Sequence, residues 1–78
     1  MIIYCFDILY KDKKRFNAVK RRFYYELRKI KPLESLFRSK SVICVEEGRE
    51  TEFDLFFAKY KDDLTLFKGY LGFLEKIY

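Results

Sequence analysis

Residues 2–9 alternate in a way that predicts a strand: Ile2, Tyr4, Phe6 and Ile8 point to one side, and Ile3, Cys5, Asp7 and Leu9 to the other. Both sides are apolar except at Asp7. A strand buried on both faces belongs in the middle of a sheet that is covered twice, and in so short a chain the second cover is expected from another subunit. From Asp12 to Ile30 the period changes. Phe16, Val19, Phe23, Leu27 and Ile30 recur at steps of three and four, the stripe of an amphipathic helix, and Pro32 stops it.

Two apolar runs follow, Leu33 to Phe37 and Val42 to Val45, separated by Arg38-Ser39-Lys40-Ser41. They read as two strands or as one long strand with a bulge. Glu46 to Glu50 is a polar turn, and Thr51 with Asp54 three residues on has the form of a capping box that starts a second helix. Phe53, Phe56, Phe57 and Tyr60 give that helix one apolar face, and it is expected to end near Lys61-Asp62-Asp63. Leu64 to Lys68 reads as a strand. The tail from Gly69 to Tyr78 mixes six large apolar residues with two glycines, and reads as a strand or arm pairing with a partner subunit, or as a short helix. The order β-α-β-β-α-β predicts an α+β fold, the ferredoxin-like βαββαβ sandwich: one antiparallel sheet with two helices on one face.

A chain of 78 residues has room for one domain, residues 1–78, near the lower limit for folding without disulfides, metals or a partner. Its 50% apolar and 21% aromatic content marks a folded chain rather than a disordered one. A core of this size covers only about 60% of the unfolded chain's surface, so this aromatic load again points to a homodimer. Cys5 and Cys44 each lie in an apolar, strand-like run and read as reduced, structural residues. No apolar stretch approaches the length of a membrane span, and no basic leader precedes the first strand. The expected compartment is the cytoplasm.

The formal charge of +5 is unevenly spread. Residues 11–31 carry ten Lys and Arg against Asp12 and Glu26, whereas residues 32–78 are mildly acidic. A block of one sign repels itself and is not what solubility alone selects. Nucleic acid is the expected partner, held by Lys11, Lys13, Lys14, Arg15, Lys20, Arg21, Arg22 and Arg28. With the helix stripe packed on the sheet, Lys13, Lys14, Lys20, Arg21 and Arg28 should face solvent as a preformed cationic row, suited to the regular phosphates of a duplex. Duplex DNA is favoured, with RNA as the alternative. No base-reading motif is visible, so shape and backbone recognition is expected. A solvated basic face is the bland reading of the same charges.

The absence of histidine excludes a Ser-His-Asp or Cys-His arrangement and any His-ligated metal. The three glycines stand apart, leaving no phosphate loop or dinucleotide fingerprint. Asp7 remains the candidate catalytic and metal-binding residue. It either bonds backbone N–H groups at the strand end or, with its symmetry mate, holds Mg²⁺ or Mn²⁺ across a dimer. Asp62 and Asp63 read as solvated turn residues, and Tyr24 and Tyr25 as packing residues rather than base-stacking platforms.

Four features in order resemble the small CRISPR-associated adaptation protein numbered second in the Cas series, and its relatives the virulence-associated protein D toxins. The first is the strand ending in Phe6-Asp7-Ile8, followed directly by the second, the basic helix. The third is Ser39-Lys40-Ser41-Val42, similar to a Gln-x-Ser-Val strand with Ser39 in place of Gln, and the fourth is Asp63-Leu64-Thr65-Leu66-Phe67. The resemblance implies a ferredoxin-like homodimer that bridges two copies of the CRISPR integrase and carries duplex DNA on its basic surface. Asp7 would match the family's metal-binding acid. Nuclease activity varies within that family, and the toxin relatives cleave RNA with the same framework. A metal-dependent endoribonuclease, or a small viral or plasmid regulator sharing the fold, are the alternatives.

Overall fold

The computed structural model of the protein describes residues 1–30, 41–75, 77 and 78. It contains β1 (Ile2–Ile8), α1 (Lys13–Ile30), β2 (Val42–Val45), α2 (Glu50–Ala58) and β3 (Leu64–Tyr70). The strands form one antiparallel sheet in the order β2-β1-β3, with β1 in the middle. This is an α+β fold compatible with the ferredoxin-like arrangement, represented by three strands among the described residues. The expected strand at Leu33 to Phe37 lies outside the described residues, so the question of two strands or one bulged strand rests on residues outside them.

The alternation along β1 sorts its two faces as expected. Ile2, Tyr4 and Phe6 are buried and Ile8 packs beside them, joined by Ile43 and Val45 of β2 and by Leu64 and Leu66 of β3. Both helices lie on this face, because Phe23 and Leu27 of α1 and Phe53, Phe56 and Phe57 of α2 complete the same core. Most of its volume is aromatic. Phe23 stands 5.1 Å from Phe6, 5.2 Å from Phe56 and Tyr60, and 6.0 Å from Phe57 between ring centroids, and Tyr4 stacks at 4.9 Å on Phe57. These tilted and edge-on separations are the ones the ring quadrupole favours, and each pair adds about 0.5–1.5 kcal/mol beyond area burial.

The other face of β1 differs from the doubly buried strand the sequence suggested. Ile3 and Cys5 are half-buried and Asp7 is exposed, while Phe67, opposite Cys5 on β3, is 69% exposed. Cys44 is buried and Cys5 is not fully so, and both are free thiols. Burial, followed by the neighbouring Cys5, pushes the Cys44 thiol above its ordinary pKa.

Element ends depart from expectation in three places. A 3-10 turn over Glu47–Arg49 runs straight into α2, which begins at Glu50. Thr51 therefore lies inside the helix and caps nothing; Asp54 instead accepts from Tyr4 and Lys68. The expected capping box is absent because a capping residue stands just before the first turn, and that place is taken by Arg49, whose side chain makes no capping bond. At its far end α2 stops at Ala58, and Tyr60 reaches the core from the turn beyond. β3 extends two residues further than expected, to Tyr70, because all seven residues of β1 find partners in it. Beyond it Leu71 N–H bonds to Met1 O; residues 72–75, 77 and 78 have no helix or strand.

Candidate nucleic-acid interface

α1 positions the basic residues. Asp12 opens it, accepting Arg15 N–H on its carboxylate at 2.8 Å and Phe16 N–H on its carbonyl, which satisfies two of the N–H groups that a helix start leaves unpaired. Arg49 closes it by donating to Ile30 O at 2.7 Å. The apolar stripe then fixes the roll. Phe23 and Leu27 are buried, and Phe16, Val19, Tyr24 and Ile30 are half-buried.

The eight candidate cations separate into two groups. Lys11, Arg15 and Arg22 are engaged within the chain. Asp63 accepts Arg15 at 2.7 Å and lies 3.6 Å from Lys11, which also donates to Asp62 O. Asp63 is half-buried and joins the turn before β3 to α1, rather than being the solvated turn residue expected. Arg22 donates to Tyr60 Oη and faces Glu26 at 3.6 Å, and the hydrogen bond to Tyr60 is the main cause that raises its pKa. Glu26 also accepts from Lys59 and Tyr60, and these bonds, with the two nearby positive charges, hold its carboxyl below the usual range despite some burial.

The second group is Lys13, Lys14, Lys20, Arg21 and Arg28, all exposed and without a carboxylate partner among the described residues. Lys20 extends over the ring of Phe16. Lys14, Arg21 and Arg28 are seven residues apart, two helical turns, so they form a row on the outer side of α1 at steps of about 10.5 Å. Lys13 and Lys20 form a second row on one flank. The opposite flank, with Arg15 and Arg22, is the one turned toward Asp63 and Tyr60.

Asp7 lies apart from this surface on the open side of the sheet. Among the described residues its carboxylate makes no hydrogen bond or ion pair, so the expected bonds to backbone N–H groups are absent. Its charge, after burial, is the second cause that raises the Tyr24 phenol. No group of three or more Cys, Asp or Glu among the described residues is placed to hold a metal. A hard divalent cation takes six or more oxygen ligands, several of them supplied by water, and among the described residues Asp7 stands here without a second carboxylate beside it. The described residues of this chain do not assemble a Mg²⁺ or Mn²⁺ cage by themselves.

Tyr24 and Tyr25 differ. Tyr24 packs against Phe6 and Phe23, as expected. Tyr25 is 52% exposed, so the packing role expected for it is not the one it has. No helix among the described residues is long and apolar enough to cross a membrane. Comparison with protein-family models, with curated proteins and with solved structures finds no match.

Proposed function

We propose that the protein is a homodimeric nucleic-acid-binding adaptor that holds duplex DNA along α1, in the manner of the CRISPR adaptation proteins its motifs resemble, where the dimer bridges an integrase. The observation that carries this reading is the set of five exposed cations without acidic partners among the described residues, held at regular steps on a helix whose other side is locked into an aromatic core. Such a row neutralises phosphates with little ordering cost and releases their counterions. Acid residues that could have neutralised it, Glu26 and Asp63, are turned to the opposite flank. The second copy is supported by the open sheet face, where Ile3, Cys5 and Val42 are only half covered and Phe67 stands exposed.

The test is equilibrium binding of labelled duplex DNA and single-stranded RNA across a salt series. Five phosphate contacts predict a slope of log K against log salt of about −4.5 on duplex, and the Lys14→Gln/Arg21→Gln/Arg28→Gln variant should flatten it to about −1.8. Asp7→Asn should bind as the unsubstituted protein does. Equal slopes for the protein and the triple variant would remove α1 from the interface. A variant at Asp7 that loses cleavage of RNA while still binding it would favour the toxin-type ribonuclease, with the second carboxylate supplied by the other copy.

A further inference from the structure

The outer face of α1 carries one residue that backbone recognition does not use. Tyr25 projects from the middle of the cationic row, four residues after Arg21 and three before Arg28. An aromatic residue with half its surface in water, on a helix that buries Phe23 and half-buries Phe16 and Tyr24, contributes little to the core. It lines a shallow concavity with Ala18, Arg21, Arg22 and Arg28. Ala18 stands two turns before Tyr25 on the same side, and its small side chain leaves the depression open. Lys29 holds its ammonium over the Tyr25 ring, 4.6 Å from the centroid.

A flat ring bordered by guanidinium groups suits an unpaired nucleobase attached to its phosphate. The base stacks on the ring, and Arg21 and Arg28 take the phosphates on either side. Bases within a duplex are already stacked on one another and present only their edges and backbone, so the ring is of use at a duplex end or a single-stranded overhang. We infer that Tyr25, framed by Arg21 and Arg28, is a stacking site for an unpaired base, and that α1 holds a junction of duplex and single strand in preference to a blunt duplex. This inference rests on the nucleic-acid reading of α1 given above.

The experiment compares a blunt DNA duplex with the same duplex bearing a short single-stranded overhang, with 2-aminopurine as the first unpaired base. The protein should bind the overhang form about tenfold more tightly, within what one base–aromatic stack contributes, and should quench the 2-aminopurine fluorescence. Tyr25→Leu should lose both the preference and the quenching while keeping its affinity and salt slope on the blunt duplex; Tyr25→Phe should keep all of them. Equal binding of the two duplexes, or a preference that survives Tyr25→Leu, overturns the stacking site and leaves the adaptor reading in place. Absence of binding to the blunt duplex by the unsubstituted protein overturns the adaptor reading itself.

Discussion

Replacing Asp63 by Asn removes the carboxylate that holds Arg15 at 2.7 Å and lies 3.6 Å from Lys11, and keeps the size of the side chain. The backbone bonds of the turn, from Asp63 N to Tyr60 O and from Leu9 N to Asp63 O, do not depend on the charge. Arg15 is half exposed, so the pair is worth at most about 1 kcal/mol of stability, and the variant should fold. Its effect on binding is larger. Two cations now engaged within the chain become available to phosphate, and at a slope of about 0.9 for each contact the duplex salt dependence should steepen from about −4.5 to about −6.3. If the added contacts contribute nothing at 1 M salt, affinity at 0.15 M rises by up to about 30-fold. Fluorescence anisotropy of a labelled duplex between about 50 and 200 mM salt covers the range. An unchanged slope would refute the division of the basic residues into engaged and available groups. It would mean that Lys11 and Arg15 already meet the nucleic acid, or that they never do.

Tyr4→Phe should cost about 1–2 kcal/mol, because the buried ring stays packed while the hydroxyl loses its 2.8 Å bond to Asp54, which keeps Lys68; a loss below about 0.3 kcal/mol in denaturant titration would contradict it. Phe23→Ala should cost about 3–5 kcal/mol and leave little folded protein, since five aromatic neighbours lose their common contact. Stability should fall in acid. For Asp54, burial raises the carboxyl pKa, but bonds from Lys68 and Tyr4 outweigh it and leave it lowered, and Lys68 and Tyr70 lower that of Glu50. With Glu26, these groups bind protons less readily folded than unfolded, so their contribution is complete above the ordinary carboxylate range of about 4 and disappears as pH drops through the lowered values. Thermal melts should be level from neutral pH down to about 5 and decline below about 4; a melting temperature that stays level there would show the networks contribute nothing.

The parts of the fold that were legible from sequence are those set by local period. Every stripe residue of α1 from Phe16 to Ile30 is buried or half-buried, and the alternation along β1 assigns each side chain to its observed side. Period also says which positions face outward on a helix, so the exposure of Lys14, Arg21 and Arg28 was legible, whereas Tyr25, read as a packing residue, stands on the same outward side. It does not say what lies opposite. The engagement of Arg15 by Asp63 joins residues 48 positions apart, and only the placement of the β3 turn beside the start of α1 creates it. The Arg22–Glu26 pair, one helical turn apart, was missed in favour of a nucleic-acid role for Arg22, although the i, i+4 spacing is the signal for it. The degree to which the second side of β1 is covered could not be read from its apolar residues, since they are equally suited to a solvent-facing sheet, a tail or a second copy. The capping pattern at Thr51 failed for a different reason: the sequence match was correct, but α2 begins at Glu50, so Thr51 lies inside the helix and the cap position falls on Arg49.

The grip of the aromatic core on Phe23 has a consequence for any polyanion bound outside. α1 cannot rotate about its own axis without drawing that ring away from the four rings it meets on other elements, so the charged side keeps one heading. Accommodation falls on the ligand. Lys14 to Arg28 spans about 21 Å in a straight line, whereas phosphates on a duplex follow a curved groove, and matching one to the other requires the DNA to bend or shift its groove width. Sequences rich in flexible pyrimidine–purine steps bend at low cost and stiff A-tracts do not. A protein with no base-reading side chain would thus still rank DNA sequences, by their compliance.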